Sequence, residues 1–189
     1  YGTELRQAAL MLLCQCHPDS KAMSVMQLRE SWLAGHILIN PVGSLEMAGA
    51  IPGRPEKPEL VAPQQVGRRS MRTAEGRAAM IHALAHIEFN AINLALDAIW
   101  RFPDMPSAYY ADWLKVAAEE ALHFSMLHEH LQSLGYRYGD FTGHDSLWEM
   151  VDRTSDDVLA RMALVPRTME ARGLDASPSL RAKLAQAGD

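Results

Sequence analysis

The sequence is poor in aromatic residues, which make up 7% of its 189 positions, while Ala, Leu and Met are frequent. That balance favours helix over sheet. Cysteine is scarce as well. Cys14 and Cys16 sit one residue apart in an apolar run, a spacing that fits neither a Cys-x-x-Cys zinc or redox motif nor a disulfide framework. Bland thiols in a reducing cytoplasm are expected. No apolar stretch approaches the ~20 residues of a membrane span, and no signal peptide is visible. A formal net charge of -5 gives no general attraction to nucleic acid or to an anionic membrane. No internal repeat is found in the hydrophobic letters.

Two short amphipathic helices are expected over Thr3 to Cys16 and Ser20 to Ala34, with Asp19 or Ser20 capping the second. Between Asn40 and Gln65 the pattern breaks down. Pro41, Gly43, Pro52, Gly53, Pro55, Pro58 and Pro63 remove donors and interrupt any period. An extended connector laid over the surface is expected there, closed by a solvated basic cluster, Arg68, Arg69 and Arg72. Long helices follow, from Ala74 to Trp100 and from Ser107 to Leu134, the latter stopped by Gly135. A Tyr- and Gly-rich loop covers Tyr136 to Gly143. A further helix is predicted from Asp156 to Arg172, capped by Thr154 or Ser155 and broken by Pro166, with a weaker one from Leu180 to Gln186. The expected organisation is an N-terminal helical appendage over 1–39, a connector over 40–72 and an all-α helical domain over 73–189.

Chemistry enters where carboxylates occupy apolar positions. The first long helix carries a stripe at Ile81, Leu84, Ala91, Ala95 and Ala98, and position 88 of that stripe is Glu88. The second carries Trp113, Ala117, Phe124, Leu127, Leu131 and Leu134, and its position 120 is Glu120. Such stripes face a core, and a buried carboxylate needs a partner, a proton or a metal. His123 follows Glu120 by three residues and shares its face. One Glu on one helix with Glu-x-x-His on the next is half of the ligand set of a carboxylate-bridged dimetal bundle. Glu170, on a stripe with Leu159, Ala163 and Pro166, would open the second half.

Other candidates are weaker. Glu119 also precedes His123, but its face holds Asp112, Lys115 and Met126, so it is expected to be exposed or to support the ligands from behind. His82 and His86 have the i, i+4 spacing of a zinc clamp, yet His86 lies about 200° around the helix from Glu88 and cannot share its ligand set. His128, His130 and His144 are expected to pack or to hydrogen-bond.

The segments "HALAHIEFNAINLALDAIWRF", "DWLKVAAEEALHFSMLHEHL", "YGDFTGHDSLW", "RMALVPRTMEARGLD" and "GRPEKPEL" together resemble an uncharacterised bacterial family of the ferritin-like superfamily, one catalogued as a domain of unknown function. The resemblance covers nearly the whole chain. It implies a four-helix bundle with two metal ions, in which Glu88, Glu120, His123 and Glu170 match ligand positions. In that family a fourth bundle helix carries a second Glu-x-x-His. This chain ends at Gly188-Asp189, so it is expected to supply about three of the four bundle helices, to expose a groove and to self-associate.

Carboxylates with imidazole suit iron, with manganese or zinc as alternatives. An oxygen-dependent oxidoreductase or hydroxylase acting on a small molecule is therefore the expected function. The tRNA-modifying di-iron hydroxylases are the nearest functional analogues within the superfamily, a likeness of fold alone. Metal storage, peroxide detoxification and a non-catalytic helical interaction module are the alternatives.

Overall fold

The computed structural model describes residues 4–47 and 49–164. Its described residues form five bounded α-helices, one 3-10 turn and a further helical segment over 158–164, with no strand among them. Helix α1 (Leu5–Leu13) starts at Glu4, whose carboxylate accepts from the backbone N–H groups of Arg6 and Gln7. Helix α2 (Pro18–Leu33) begins ahead of the expected Asp19 or Ser20 cap. Pro18 fits the first helical position because its missing N–H would have no partner there, and the His17 ring caps Ser20 instead.

Helices α3 (Ala74–Arg101) and α4 (Ser107–Ser133) occupy the two long periodic segments. Thr73 caps α3 through the Gly76 N–H at 3.0 Å. Gly135, at φ +85, takes the left-handed turn that ends α4.

Two differences appear after α4. Helix α5 (Ser146–Arg153) lies in a stretch that the sequence reading leaves unassigned. Thr154 is its C-terminal cap and does not start the following helix. That helical segment occupies residues 158–164 and is capped by Asp157, whose Oδ1 accepts from the Ala160 N–H at 3.0 Å. Pro166, Glu170, the end of the expected helix at Arg172 and the expected helix from Leu180 lie outside the described residues.

The four larger helices share one core. Leu5, Leu12 and Leu13 of α1 and Val25 and Leu28 of α2 are buried together with Phe89, Ile92 and Ile99 of α3 and Leu114 and Phe124 of α4. Helix α1 lies on α3, and α2 lies antiparallel to α4, with Asp19 beside His128 at one end and Arg29 near Ala118 further along. The N-terminal helices, expected as an appendage, are thus part of the same hydrophobic interior. Helix α3 is long and apolar enough to cross a membrane, but 67% of its most apolar window is buried inside the fold.

Buried charges tie the irregular segments to this core. Arg6, 1% exposed, donates to the carbonyls of Gly43 and Trp100. Lys21, fully buried, donates to the carbonyls of Leu13 and Gly53 and to Asn93 Oδ1. All three acceptors are neutral, and burial pulls the ammonium down to about 7. The connector's described residues are mostly exposed or half-buried. It is held at Gly53, whose N–H donates to Leu13 O, and at Leu60, which bridges to Gly143. In the basic cluster Arg69 pairs with Glu75 at 3.3 Å and lies over the Phe141 ring, a structural use.

Candidate metal centre

Helices α3 and α4 pack side by side along their length, so residues on their facing stripes meet. Glu88, Glu120 and His123 each place one ligand atom within 4.8 Å of the other two. Glu120 Oε2 is 3.1 Å from His123 Nδ1. Glu88 and Glu120 share a hydrogen bond, and Glu88 is pushed up to about 9, first by burial, then by that bond and by the charge of Glu120. Two carboxylates this close cannot both ionise without a cation, so the pair keeps a proton. Among the described residues no lysine or arginine pairs with either of them.

The site stands at the rim of the core, not at its centre. Glu88 is half-buried, the Glu120 side chain is 19% exposed and His123 is 54% exposed. An apolar stripe predicts a face turned fully inward. Helix α1 packs on α3 and α2 on α4, and neither contributes a residue to the cluster of 88, 120 and 123. Glu119 is exposed and pairs with Lys115 at 3.8 Å, so it takes no part in the cluster. Glu170 lies outside the described residues.

Two carboxylates and one imidazole form a donor set of oxygen and nitrogen atoms, which suits iron, manganese or zinc. The unneutralised carboxylate pair is the local feature that a divalent cation would relieve. The residues present fit one divalent ion.

The remaining histidines do other work. His82 and His86, spaced as a zinc clamp, hold different partners. His82 Nε2 accepts from the Gly139 N–H at 2.9 Å, and the ring stacks on Tyr138. His86 sits between the Tyr138 hydroxyl and the His144 carbonyl, each 2.8 Å away. Burial lowers both, His82 to about 4. His128 bonds Asp19 at 2.7 Å.

Sequence reasoning overlooked the buried cluster around Asp97. Its Oδ2 accepts from Arg161 at 2.7 Å and its Oδ1 from Arg101 at 2.7 Å, with Asp97 and Arg161 fully buried. The signal was available, because Asp97 interrupts an apolar run on α3 just as Glu88 does. Lys21 gave no such signal, since its partners are backbone carbonyls and an amide distant in sequence.

Comparison with known proteins supplies a family. Residues 14–189 match the model of a family described as "Protein of unknown function (DUF455)". An "Uncharacterized protein" of Haemophilus influenzae is 58% identical over 142 residues, which is 71% of this chain and 49% of that protein. The chain therefore spans about half the length of the curated relative it matches. No solved structure matches. With the match covering all but the first residues, the chain belongs to the family described as protein of unknown function DUF455.

Proposed function

We propose that Glu88, Glu120 and His123 are ligands of a carboxylate-bridged dimetal centre, with iron as the favoured metal, in a ferritin-like bundle that acts as an oxygen-dependent oxidoreductase. The observation that supports this best is the convergence of three donor atoms on one point, two of them carboxylates that no lysine or arginine among the described residues pairs with. Among the described residues none stands against this pair as Arg161 stands against Asp97. Glu170 is proposed as a further ligand from the family resemblance.

Metal-free, the residues hold their protons in a defined order. Glu88 carries the proton shared with Glu120, and Glu120 accepts from the His123 ring. The Glu88 proton must leave before that carboxylate can act as a ligand, while the His123 ring can turn a lone pair to the metal by a change of tautomer, so metal uptake releases the shared proton and tightens as pH rises. A pair of redox-active ions bound there would supply electrons to dioxygen. The exposed edge of His123 leaves an approach from solvent for a small molecule.

Iron-loaded protein carrying the whole natural chain should consume dioxygen, and the Glu120→Ala variant should not. Iron bound without oxygen consumption would point instead to storage. No bound metal in either protein would leave a helical interaction module as the reading.

A further inference from the structure

The connector is pinned at two points and lies against α3 between them. At one end the Gly53 N–H donates to Leu13 O at 2.7 Å, and Lys21 holds the Gly53 carbonyl at 2.9 Å. At the other, the Val61 N–H donates to Gly143 O at 2.8 Å, and the Gly143 N–H donates to Glu59 O at 3.0 Å. Pro55 and Pro58, between these anchors, have no N–H to donate. A cleft of about 340 Å³ is enclosed by this span and α3, inside the roughly 300–1,000 Å³ range of small-molecule sites. Pro55, Pro58, Leu60 and Phe89 give it apolar walls. His86 and Asn90 also line it. Both lie about 200° around α3 from Glu88, so the cleft and the candidate metal centre occupy different sides of that helix.

The polar groups of the cleft are unequally engaged. Asn90 is only 3% exposed. Its Nδ2 donates to the His86 carbonyl at 3.1 Å and lies 3.2 Å from His86 Nε2. A backbone carbonyl can only accept, so the nitrogen end of the amide is fixed toward His86. That leaves Oδ1 as the polar atom this buried residue presents to the cleft, and no donor among the described residues meets it. The His86 ring is a wall, because its two nitrogens are held by the Tyr138 hydroxyl and the His144 carbonyl. Arg54 gives Nη2 to Asp145 Oδ1, and the rest of its fork has no partner among the described residues. Glu56 and Glu59 line the cleft from exposed positions and form no ion pair among the described residues.

We propose that this cleft binds a free α-amino acid with an apolar side chain. The ligand's carboxylate takes the free edge of the Arg54 guanidinium, a planar fork suited to it. Its ammonium donates to Asn90 Oδ1 and is drawn by Glu56 and Glu59. The side chain lies against the prolines, Leu60 and Phe89. The lining selects the zwitterion over either half of it. Arg54 and Asp145 neutralise each other, so Glu56 and Glu59 leave an excess of negative charge that repels a lone carboxylate. A lone amine would stand beside the Arg54 guanidinium with nothing to offer its N–H groups. None of this depends on a bound metal.

Calorimetric titration of the whole natural chain tests this with three probes: L-leucine, isoamylamine, which lacks its carboxylate, and isocaproate, which lacks its ammonium. L-Leucine should bind saturably at one site per chain. Each of the other two should bind more weakly by at least about tenfold, the worth of one charge-assisted hydrogen-bonded pair. Arg54→Met, which keeps much of the stem and removes the fork, should lose L-leucine by a similar factor. The double change Glu56→Gln, Glu59→Gln, on exposed side chains, should weaken it several-fold at an unchanged melting temperature. No saturable binding of L-leucine, equal binding of the three probes, or wild-type affinity in the double variant would overturn the proposal. The comparison of probes needs wild type alone, so it stands even where Arg54→Met fails to fold. Affinity should be the same in chelator, and binding that vanishes there would count against a site separate from the metal. Loss of metal binding with L-leucine still bound would refute the dimetal reading alone.

Discussion

Replacing Glu88 by glutamine separates the metal site's chemistry from its effect on folding. In the metal-free protein Glu88 titrates at about 9, against an ordinary value of 4.5, because burial and the neighbouring Glu120 disfavour its charge. A carboxyl raised in the folded state is protonated there and ionised in the unfolded chain between those two values. Its contribution to stability is therefore fully present below about 4.5 and is lost progressively as pH rises toward 9. At pH 7 the difference reaches up to about 3 kcal/mol. Glutamine keeps the shape and the hydrogen bond to Glu120 but cannot ionise. Glu88→Gln should therefore stabilise the chelated protein at pH 7 by as much as that figure, which corresponds to roughly 6–12 °C in melting temperature for a chain of this size. At pH 4.5 the two proteins should melt together. Added iron(II) or zinc should raise the melting temperature of wild type and leave the variant unmoved, because bound ligand adds stability only to a state that binds it. Thermal melts in chelator at the two pH values, repeated with metal, decide the matter. A variant less stable than wild type by the same amount at both pH values would refute the shared-proton pair.

Three further outcomes are expected. Glu120→Ala should abolish metal content at this site while Glu119→Ala retains it, since only position 120 faces Glu88; equal loss in both would mean that the ligand is mis-assigned. Asp97→Ala should cost about 3–5 kcal/mol in denaturant melts, because it strands the fully buried Arg161; a loss under ~1 kcal/mol would show that the pair is solvated. Gly143→Ala should lose on the order of 1–3 kcal/mol and displace the His144 carbonyl from His86, visible as a changed imidazole resonance.

Much of this architecture is legible in the sequence. The two long helices begin and end within a residue or two of their expected limits, because Gly135 is a strong stop signal and an apolar period runs along each helix. The convergence of Glu88, Glu120 and His123 is legible for the same reason: two stripes on neighbouring helices must face each other. Burial depth is not, since a periodic pattern says which residues share a face and nothing about what covers its edge. Helix α5 escapes because eight residues hold too few turns to establish a period against the loop before them. The paired histidines 82 and 86 can be excluded from the ligand set by angle alone. Their true use, clamping the Tyr138 loop, depends on contacts more than fifty positions away in the chain.

The central claim is that one cation is held by atoms of Glu88, Glu120 and His123 together. Anomalous diffraction from crystals of the whole natural chain, grown or soaked with iron(II) and measured at the iron absorption edge, tests it most directly. The expected result is an anomalous peak in contact with both carboxylates and the imidazole, absent in Glu88→Gln crystals treated identically. Iron-saturated crystals with no peak between these three side chains, or with the same peak in the variant, would contradict it.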